Sequence, residues 1–426
     1  KARTATGLTA GVLKSQRRLD LLMSPYLTKP QKLAPGLQNM LRLAAYELIV
    51  CQRPLHIVNE YVQLAKKLSH PRAAGLINAV LRKVCQLQVS GVWQLPLELD
   101  TAASPADLSE QLGLHFSHPT WMVSRWLQQL GTAETLALLE CNNRLPGFGV
   151  WVAPSYPGGP SGLLQDLRLH LPEEEDAFRA SDYLPAHFIH ASRGVQEIIS
   201  LPQFRQGQLQ VMSESAGLVV TLLDPQPGEC LLDACAAPGS KSLFAASLMQ
   251  AQGQIVALDS KSARLRLLES AAQKRGMSSM LRTCACELQN FKQQHPELIP
   301  AGGFDRVLVD APCSGTGTLG KRADLRWQRL PGELPELCTL QEVLLHAAAS
   351  LVRVGGFVVY STCSIEEDEN SARIAAFLAC HENFELTSAV GASLPQSVTS
   401  SEGFLKVFQH KQNIEGAFAA KLKRLG

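Results

Sequence analysis

No uninterrupted apolar run in these 426 residues approaches the roughly 18 residues that a helical membrane span requires. No positively charged, then apolar, leader stands at the N-terminus either, so neither a membrane partner nor a secretory route is expected. Excess charge of one sign is nearly absent: 40 Lys and Arg against 38 Asp and Glu leave a formal charge of +2. That balance neither demands nor excludes a nucleic-acid partner, because a local basic patch matters more than the total. The 11 cysteines are odd in number and follow no regular spacing, which excludes a secreted disulfide scaffold and favours a reducing compartment. Cys284-Ala-Cys286 has no second His or Cys pair at ligand spacing, so strand cysteines and no metal are expected. Also missing are the GxGxxG dinucleotide fingerprint and the GxxxxGK[ST] phosphate loop. What is present, 46% hydrophobic and 18% charged residues, describes a soluble globular chain, too long for one core and suited to two or three domains. The chain opens on Lys1 within a helical pattern, and the expectation is that a start, with or without a targeting peptide, precedes it.

Periodicity divides the chain. Residues 1–89 read as all-helical, with Leu37, Met40, Leu41, Leu43, Ala44 and Leu48 at helical spacing and Ile57, Val62, Leu64 and Leu68 following. Pro54 and Ser69-His70-Pro71 punctuate the helices, and Gly75 to Arg82 reads as another short one. Residues 90–118, interrupted by Pro96 and Pro105, read as a linker. Residues 119–205 open on a helix carrying Trp121, Val123, Trp126 and Leu127, then mix short apolar runs with Pro and Gly, which suggests a small α+β domain. From 206 to 426 β-rich runs alternate with helical stretches: Cys230–Asp233, Ile255–Asp259, Met280–Ala285, Arg306–Asp310 and Phe357–Ser361, with helices near Ser242–Gln250, Ala263–Arg275 and Leu340–Val352. Such alternation predicts an α/β domain with a parallel, Rossmann-like sheet, whose ligands bind beyond the carboxyl ends of the strands.

Four motifs fall at those ends. Leu231-Leu-Asp-Ala-Cys-Ala-Ala-Pro-Gly-Ser-Lys-Ser242 runs from a strand through small residues into a helix, where free N–H groups suit an anion such as the methionine carboxylate of S-adenosylmethionine. The bland reading is an ordinary tight turn. Asp259 closes the next strand, where a carboxylate can accept from both ribose hydroxyls or simply cap a helix. Val309-Asp310-Ala-Pro-Cys-Ser-Gly-Thr-Gly317 and Tyr360-Ser-Thr-Cys-Ser364 each set a cysteine just past a strand end. A lone buried cysteine such as Cys51, Cys141 or Cys380 reads as filler. Two at the exits of neighbouring strands suggest paired thiol chemistry.

These motifs resemble those of the Sun (Fmu) family of RNA cytosine-5 methyltransferases. Asp233 to Lys241, Asp310-Ala-Pro-Cys313 and Ser361-Thr-Cys-Ser364 carry the resemblance, with Arg322-Ala-Asp-Leu-Arg-Trp327 and Gly416-Ala-Phe-Ala-Ala-Lys421. Tyr46-Glu-Leu48, Asn59-Glu60, Ala65-Lys66 and Leu76 to Arg82 are similar to the NusB-like domain of the RsmB branch, shortened here at its start. The resemblance implies S-adenosylmethionine as cofactor, held by Asp233, Cys235, Ala236, Ala237, Pro238, Gly239, Ser240, Lys241, Asp259, Arg264 and Asp310. It implies RNA as substrate, ribosomal RNA of the small subunit in particular, and a monomer in a reducing compartment, either a bacterial cytoplasm or an organelle such as the plastid. Cys363 takes the role of nucleophile, Cys313 that of releasing the product, and Asp310 joins them as a catalytic residue.

The implied chemistry explains the pair. Carbon 5 of cytosine is a poor nucleophile. A thiolate adding at carbon 6 converts the ring to an enamine whose carbon 5 can attack a sulfonium methyl, one hard step becoming two easier ones. The thiolate needs an electropositive site, which Lys241 helps to supply, and Asp310 is placed to hold the base edge that gains a proton. The target base must be unstacked to reach such a pocket. Lys321, Arg322, Arg326 and Arg329 read either as phosphate contacts or as a solvated loop, and Glu173-Glu-Glu-Asp176 as a solvated loop. The chain departs from the family at Ser240 (a glycine there), Met212-Ser213 (Gln-Asp), Ala285 (an acidic residue) and Trp151-Val-Ala-Pro154 (Arg-x-Asn nearby). Each lost hydrogen bond is worth about 1 kcal/mol, which weakens a site without abolishing it. The competing expectations are an assembly or RNA-binding factor of the same fold with weakened or lost catalysis, and a methyltransferase acting on transfer RNA.

Overall fold

The helical spacing of the first part of the chain is realised by α1 (Ala2–Met23), α2 (Pro35–Ile49), α3 (Ile57–Leu68) and α4 (Pro71–Ser90), which surround one apolar core. Leu41, Ala44, Ala45 and Leu48 form the buried stripe of α2, at the spacing that keeps side chains on one face. On α3 the buried face is Ile57, Val58, Tyr61 and Ala65; Leu64 and Leu68 lie at its edge and end, 38% and 72% exposed. This computed structural model describes residues 2–68, 71–91, 93, 104–171, 176–390 and 394–426. Ser69 and His70 of the expected turn, Pro96 of the expected linker and Glu173-Glu-Glu175 lie outside the described residues.

The expected linker is corrected. It contains α5 (Pro105–His115), which is followed by the long α6 (Thr120–Asn143). Ser104 Oγ accepts the Asp107 N–H at 3.2 Å, and Pro105 sits in the first turn, where its missing N–H costs nothing. A Ser-Pro pair read as an interruption is therefore a helix start. Helices α5 and α6 pack together, and the first compact unit runs to Arg144 and takes in the segment Arg322–Gln328.

Arg326 of that segment needs a second correction. Its side chain is fully buried, not free to meet phosphate. The guanidinium donates to Ser117 O at 3.1 Å, Asn142 O at 3.2 Å and Asn143 Oδ1 at 2.9 Å. Burial without a carboxylate partner pushes its pKa down to about 9. Trp327 Nε1 donates to Leu13 O at 2.7 Å, while Arg322 stays exposed.

The second unit, Leu145–Lys321 with Arg329–Gly426, holds two sheets. The smaller is antiparallel, with β1 (Phe148–Val152) beside β3 (Phe188–Ala191), β2 (Phe178–Ala180) on one edge and β4 (Leu209–Val211) on the other. α7 (Gly159–His170), α8 (Val195–Ser200) and α9 (Pro202–Arg205) complete it. Alternation along β1 sends Val150 and Val152 toward Leu163 and Leu167 of α7, and Trp151 to the opposite face. This sheet reaches past the expected boundary at 205, because β4 pairs with β1 from Val150↔Val211 to Val152↔Leu209.

The larger sheet follows α10 (Glu214–Leu223). β5 (Cys230–Asp233), α11 (Ser240–Leu248), β6 (Gln254–Leu258), α12 (Ser262–Lys274), β7 (Leu281–Cys284) and α13 (Leu288–Gln294) alternate outward. The chain then crosses back to β8 (Phe304–Asp310) beside β5. After α14 (Leu325–Gln328) and α15 (Glu333–Ala349), β9 (Val352–Thr362) lies parallel to β8. α16 (Ser371–Cys380), β10 (Phe384–Thr387), β11 (Leu405–Val407), α17 (Gln409–Gln412) and β12 (Ala417–Arg424) close the edge, with β12 antiparallel to β9. The order β10-β12-β9-β8-β5-β6-β7 reverses direction between β8 and β5, the place where ligands bind in open α/β sheets. Trp151 and Phe188 meet Phe244 of α11 edge-on at 5.6 and 5.5 Å, so the small sheet rests on the large one through aromatic rings.

Arg326→Ala should cost the helical unit roughly 2–4 kcal/mol, because it empties a buried volume and strands three acceptors. Arg322→Ala should stay within about 0.5 kcal/mol. Hydrogen exchange of amides in α5 and α6 of the full chain measures both; equal protection in the two variants would contradict the structural role of Arg326.

Candidate active site

At the switch point, β5 ends in Asp233 and the chain turns through residues 234–239 into α11. Gly239 carries φ +107°, and a Cβ there would meet Leu268 at 2.4 Å, so the position admits only glycine. The Asp233 carboxylate is buried; Oδ2 accepts from Ser242 Oγ at 2.6 Å and Oδ1 has no partner among the described residues. Burial pushes its carboxyl up to about 6. Asp259, just past β6, accepts the Lys261 N–H at 2.9 Å through Oδ1 and faces Arg264 at 3.3 Å through Oδ2. Arg264 also donates to Ala237 O at 2.6 Å, tying the second strand end to the first turn. Cys235, Ala236 and Pro238 line the same turn, whose Ala236 N–H is held by Leu258 O at 2.7 Å.

β8 and β9 bring the other half. Their register sets Asp310 opposite Ser361, and Ala311 N–H bonds Ser361 O at 2.8 Å. Asp310 accepts from Ser361 Oγ at 2.9 Å on Oδ1 and from Lys241 Nζ at 2.6 Å on Oδ2. Burial works against the Lys241 ammonium, yet the Asp310 charge overrides it and the net pKa rises. The two strand-end cysteines meet: Cys313 Sγ lies 3.3 Å from Cys363 Sγ. The hydrogen bond between them favours ionisation of Cys363 and opposes that of Cys313, and burial adds to the rise at Cys313. Lys241 also favours the Cys363 thiolate against burial and the Asp310 charge. One proton is thus shared unequally, with the anion on Cys363.

The structure therefore gathers Asp233, Lys241, Asp259, Arg264, Asp310, Cys313 and Cys363 at the carboxyl ends of four adjacent strands, β6, β5, β8 and β9. It places the basic candidates elsewhere. Lys321 is mostly buried, paired with Glu415 and lying 4.6 Å over the Phe148 ring, and burial brings its pKa down to about 8. Arg329 donates to Ser314 O and Cys313 O, both at 3.0 Å, so it supports the cysteine loop. Sequence reading missed Ser361 as a ligand of Asp310 and missed Glu369, a fully buried carboxylate behind both cysteines. The only signal for Glu369 was an acidic run following Cys363 directly, which looks like any solvated turn. Ala285 is exposed and Trp151 is buried against Phe244.

The family model described as 16S rRNA methyltransferase RsmB/F matches residues 220–423, and that of the NusB family matches residues 1–86. The probable ribosomal RNA small subunit methyltransferase B of Bacillus subtilis is 30% identical, with 99% of this chain and 90% of the relative covered. The probable enzyme of the same description from Synechocystis is 34% identical over 99% of this chain and 91% of that one. The chain belongs to the RsmB/F family. Among solved structures, that of PH0851 is 25% identical with a TM-score of 0.79, covering 99% of this chain and 90% of that chain. The family's cofactor is S-adenosylmethionine, and the cleft fits it chemically: a buried carboxylate oxygen awaiting a donor at Asp233, a second carboxylate at Asp259, and a helix N-terminus opening on a glycine turn. No group of three or more metal-ligating side chains occurs among the described residues.

Limited iodoacetamide at neutral pH should modify Cys363 before Cys313, and Lys241→Met should slow the Cys363 reaction several-fold. Peptide mapping of the alkylated protein reads the order; modification of Cys313 first would reverse the assigned polarity.

Proposed function

We propose that this chain transfers a methyl group from S-adenosylmethionine to carbon 5 of a cytosine in RNA, small-subunit ribosomal RNA in particular, through a covalent adduct on Cys363. The observation that carries the reading is the contact of two thiols at 3.3 Å beside the Lys241–Asp310 pair. A single thiol would suffice for addition; a second one touching it is placed to assist product release. The names of the bacterial relatives support the ribosomal substrate.

In this reading, Asp233 accepts from the amino-acid ammonium through Oδ1, which has no partner among the described residues, and the α11 N-terminus with Gly239 and Ser240 receives the carboxylate. Asp259 accepts from the ribose hydroxyls, with Arg264 holding the turn. When bound, the sulfonium supplies an electrophilic methyl. The Cys363 thiolate adds to carbon 6 of the base, and Asp310, fixed by Lys241 and Ser361, holds the base edge that takes up a proton. Carbon 5 gains the methyl. Its proton then passes to water, the electrons of that carbon–hydrogen bond restore the double bond to carbon 6, and the carbon–sulfur bond breaks with its pair returning to Cys363; the proton taken up at the base edge is given back to water, and Cys313 assists the release. Arg322 is the exposed candidate for phosphate contact. One chain carries every group named, so a monomer suffices, and two free thiols call for a reducing compartment such as a bacterial cytoplasm or plastid. Among the described residues no helix is long and apolar enough to cross a membrane.

Cys363→Ala should abolish methylation. Cys313→Ala should accumulate a covalent protein–RNA adduct, seen as a slow band on a denaturing gel, and bisulfite sequencing should find one cytosine of small-subunit ribosomal RNA modified only when the protein is present. An adduct trapped by Cys363→Ala instead would exchange the two roles. Cofactor binding without methylation of any RNA would favour an assembly factor, and methylation of transfer RNA alone would remove the ribosomal assignment.

A further expectation concerns pH. Asp233 must be ionised to accept an ammonium, and its carboxyl lies at about 6 in the free protein. Cofactor affinity should be full above neutral pH and should fall as pH drops through 6, becoming about tenfold weaker at pH 5. Calorimetric titration across this range decides it; a flat profile would take Asp233 out of the ammonium site.

A further inference from the structure

Behind the two cysteines lies a carboxylate that the proposed chemistry does not use. Glu369 follows β9 in a tight turn and is fully buried. Four donors converge on it. Oε1 accepts from the Ser314 N–H at 2.8 Å and from Gln341 Nε2 at 3.0 Å. Oε2 accepts from Ser314 Oγ and from Ser364 Oγ, both at 2.5 Å. Ser314 is the residue after Cys313 and Ser364 the residue after Cys363. Gln341 Nε2 also donates to Pro312 O at 2.9 Å, immediately before Cys313. An ionised carboxylate only accepts, which is what four converging donors require. Burying such a charge is costly unless its hydrogen bonds are made, so this residue type in this place needs a reason.

We propose that Glu369 is a positioning residue: its carboxylate clamps the loop of Cys313 to the loop of Cys363 and so holds the two sulfurs in contact. This rests on the reading of those sulfurs as nucleophile and release group. Other contacts define the loops but do not replace the clamp. Gly317 N–H bonds Cys363 O at 3.0 Å, Ile365 N–H bonds Thr316 Oγ1 at 3.1 Å, and Tyr360 OH donates to Glu369 O at 2.7 Å, which fixes the backbone that carries the carboxylate. The charge has a second effect. It opposes ionisation of both thiols, while Lys241 favours that of Cys363.

The test uses the full chain with Glu369→Gln and Glu369→Ala, and Glu367→Gln, an exposed neighbour, as control. Diamide, which takes the hydrogens of two thiols and is itself reduced to the hydrazine, bridges Cys313 to Cys363 at a rate that reports their contact; peptide mass reads the bridge without RNA or cofactor. Both Glu369 variants should bridge at least tenfold more slowly. They should lower kcat at least tenfold with the KM for S-adenosylmethionine within twofold, and the RNA adduct should persist although Cys313 is present. The control should match wild type. Wild-type bridging and turnover in Glu369 variants that still bind cofactor would overturn the proposal, as would a rise in the cofactor KM with kcat unchanged. Should the Glu369 variants fail to fold, Ser364→Ala removes one donor and leaves the carboxylate buried; it must then show the slower bridging, or the clamp is refuted. If wild type methylates no RNA while the variants bridge slowly, the catalytic reading fails and the clamp stands.

Discussion

The parallel register of β8 on β9, with Asp310 opposite Ser361, is the constraint on which the site depends. Neighbouring strands lie about 4.8 Å apart, so chains leaving them on the same side begin almost in contact. A slip of one residue would turn Asp310 away from Lys241 and Ser361 and send the cysteine loops to different faces. The slip is resisted from both sides. β9 is held on its far edge by β12, from Phe418↔Thr362 to Lys423↔Phe357, and β8 on its other edge by β5. Near the loops the backbones approach so closely that Gly317 is obligatory: a Cβ there would meet Gly416 O at 2.5 Å and Cys363 O at 2.8 Å. The sheet thus fixes the origin of each loop, and the buried hydrogen bonds among Ser314, Thr316, Ser364 and Glu369 fix the ends.

How much of this was legible in the sequence follows from which forces are local. The five parallel strands could be read because most are short apolar runs closed by a polar residue, β7 with Arg282 and Thr283 being the exception, and the cysteine motifs stand at two of those closures. Their parallel direction also followed, since alternation with helices dictates a parallel sheet; the strand order is set by the fold. The misreadings share one cause: a residue's chemistry was taken from its neighbours in the chain rather than in space. Pro105 breaks a helix only when it lies inside one; after a Ser104 cap it begins one. Arg326 looked like a phosphate ligand because it stands among Lys321, Arg322 and Arg329, yet its partners Ser117 and Asn142 are nearly 200 residues away, at separations of 209 and 184. Glu369 was passed over, since it ends an acidic run of Glu366, Glu367 and Asp368, and only the fold brings Ser314 and Gln341 to it.

Charge ordering gives the site its direction. Three carboxylates, Asp233, Asp259 and Asp310, surround a cleft in which Lys241 and Arg264 are already engaged, by Asp310 and Asp259. Such a cleft attracts a ligand that carries positive charge, and the raised carboxyl of Asp233 marks where the first one is most wanted. The same arrangement would suppress a thiolate, because each carboxylate disfavours a nearby anion. Lys241 resolves the conflict through its charge: bonded to Asp310 it neutralises that carboxylate, and it favours ionisation of Cys363. Removing Lys241 would therefore be felt twice, as an uncompensated Asp310 and as a less ionised Cys363. Glu369 is bound to four donors, the hydroxyls of Ser314 and Ser364 among them. The hydrogen bond from Cys313 and the Lys241 charge both favour the Cys363 thiolate, so the pair is polarised before any substrate arrives and Cys363 is the sulfur prepared to attack.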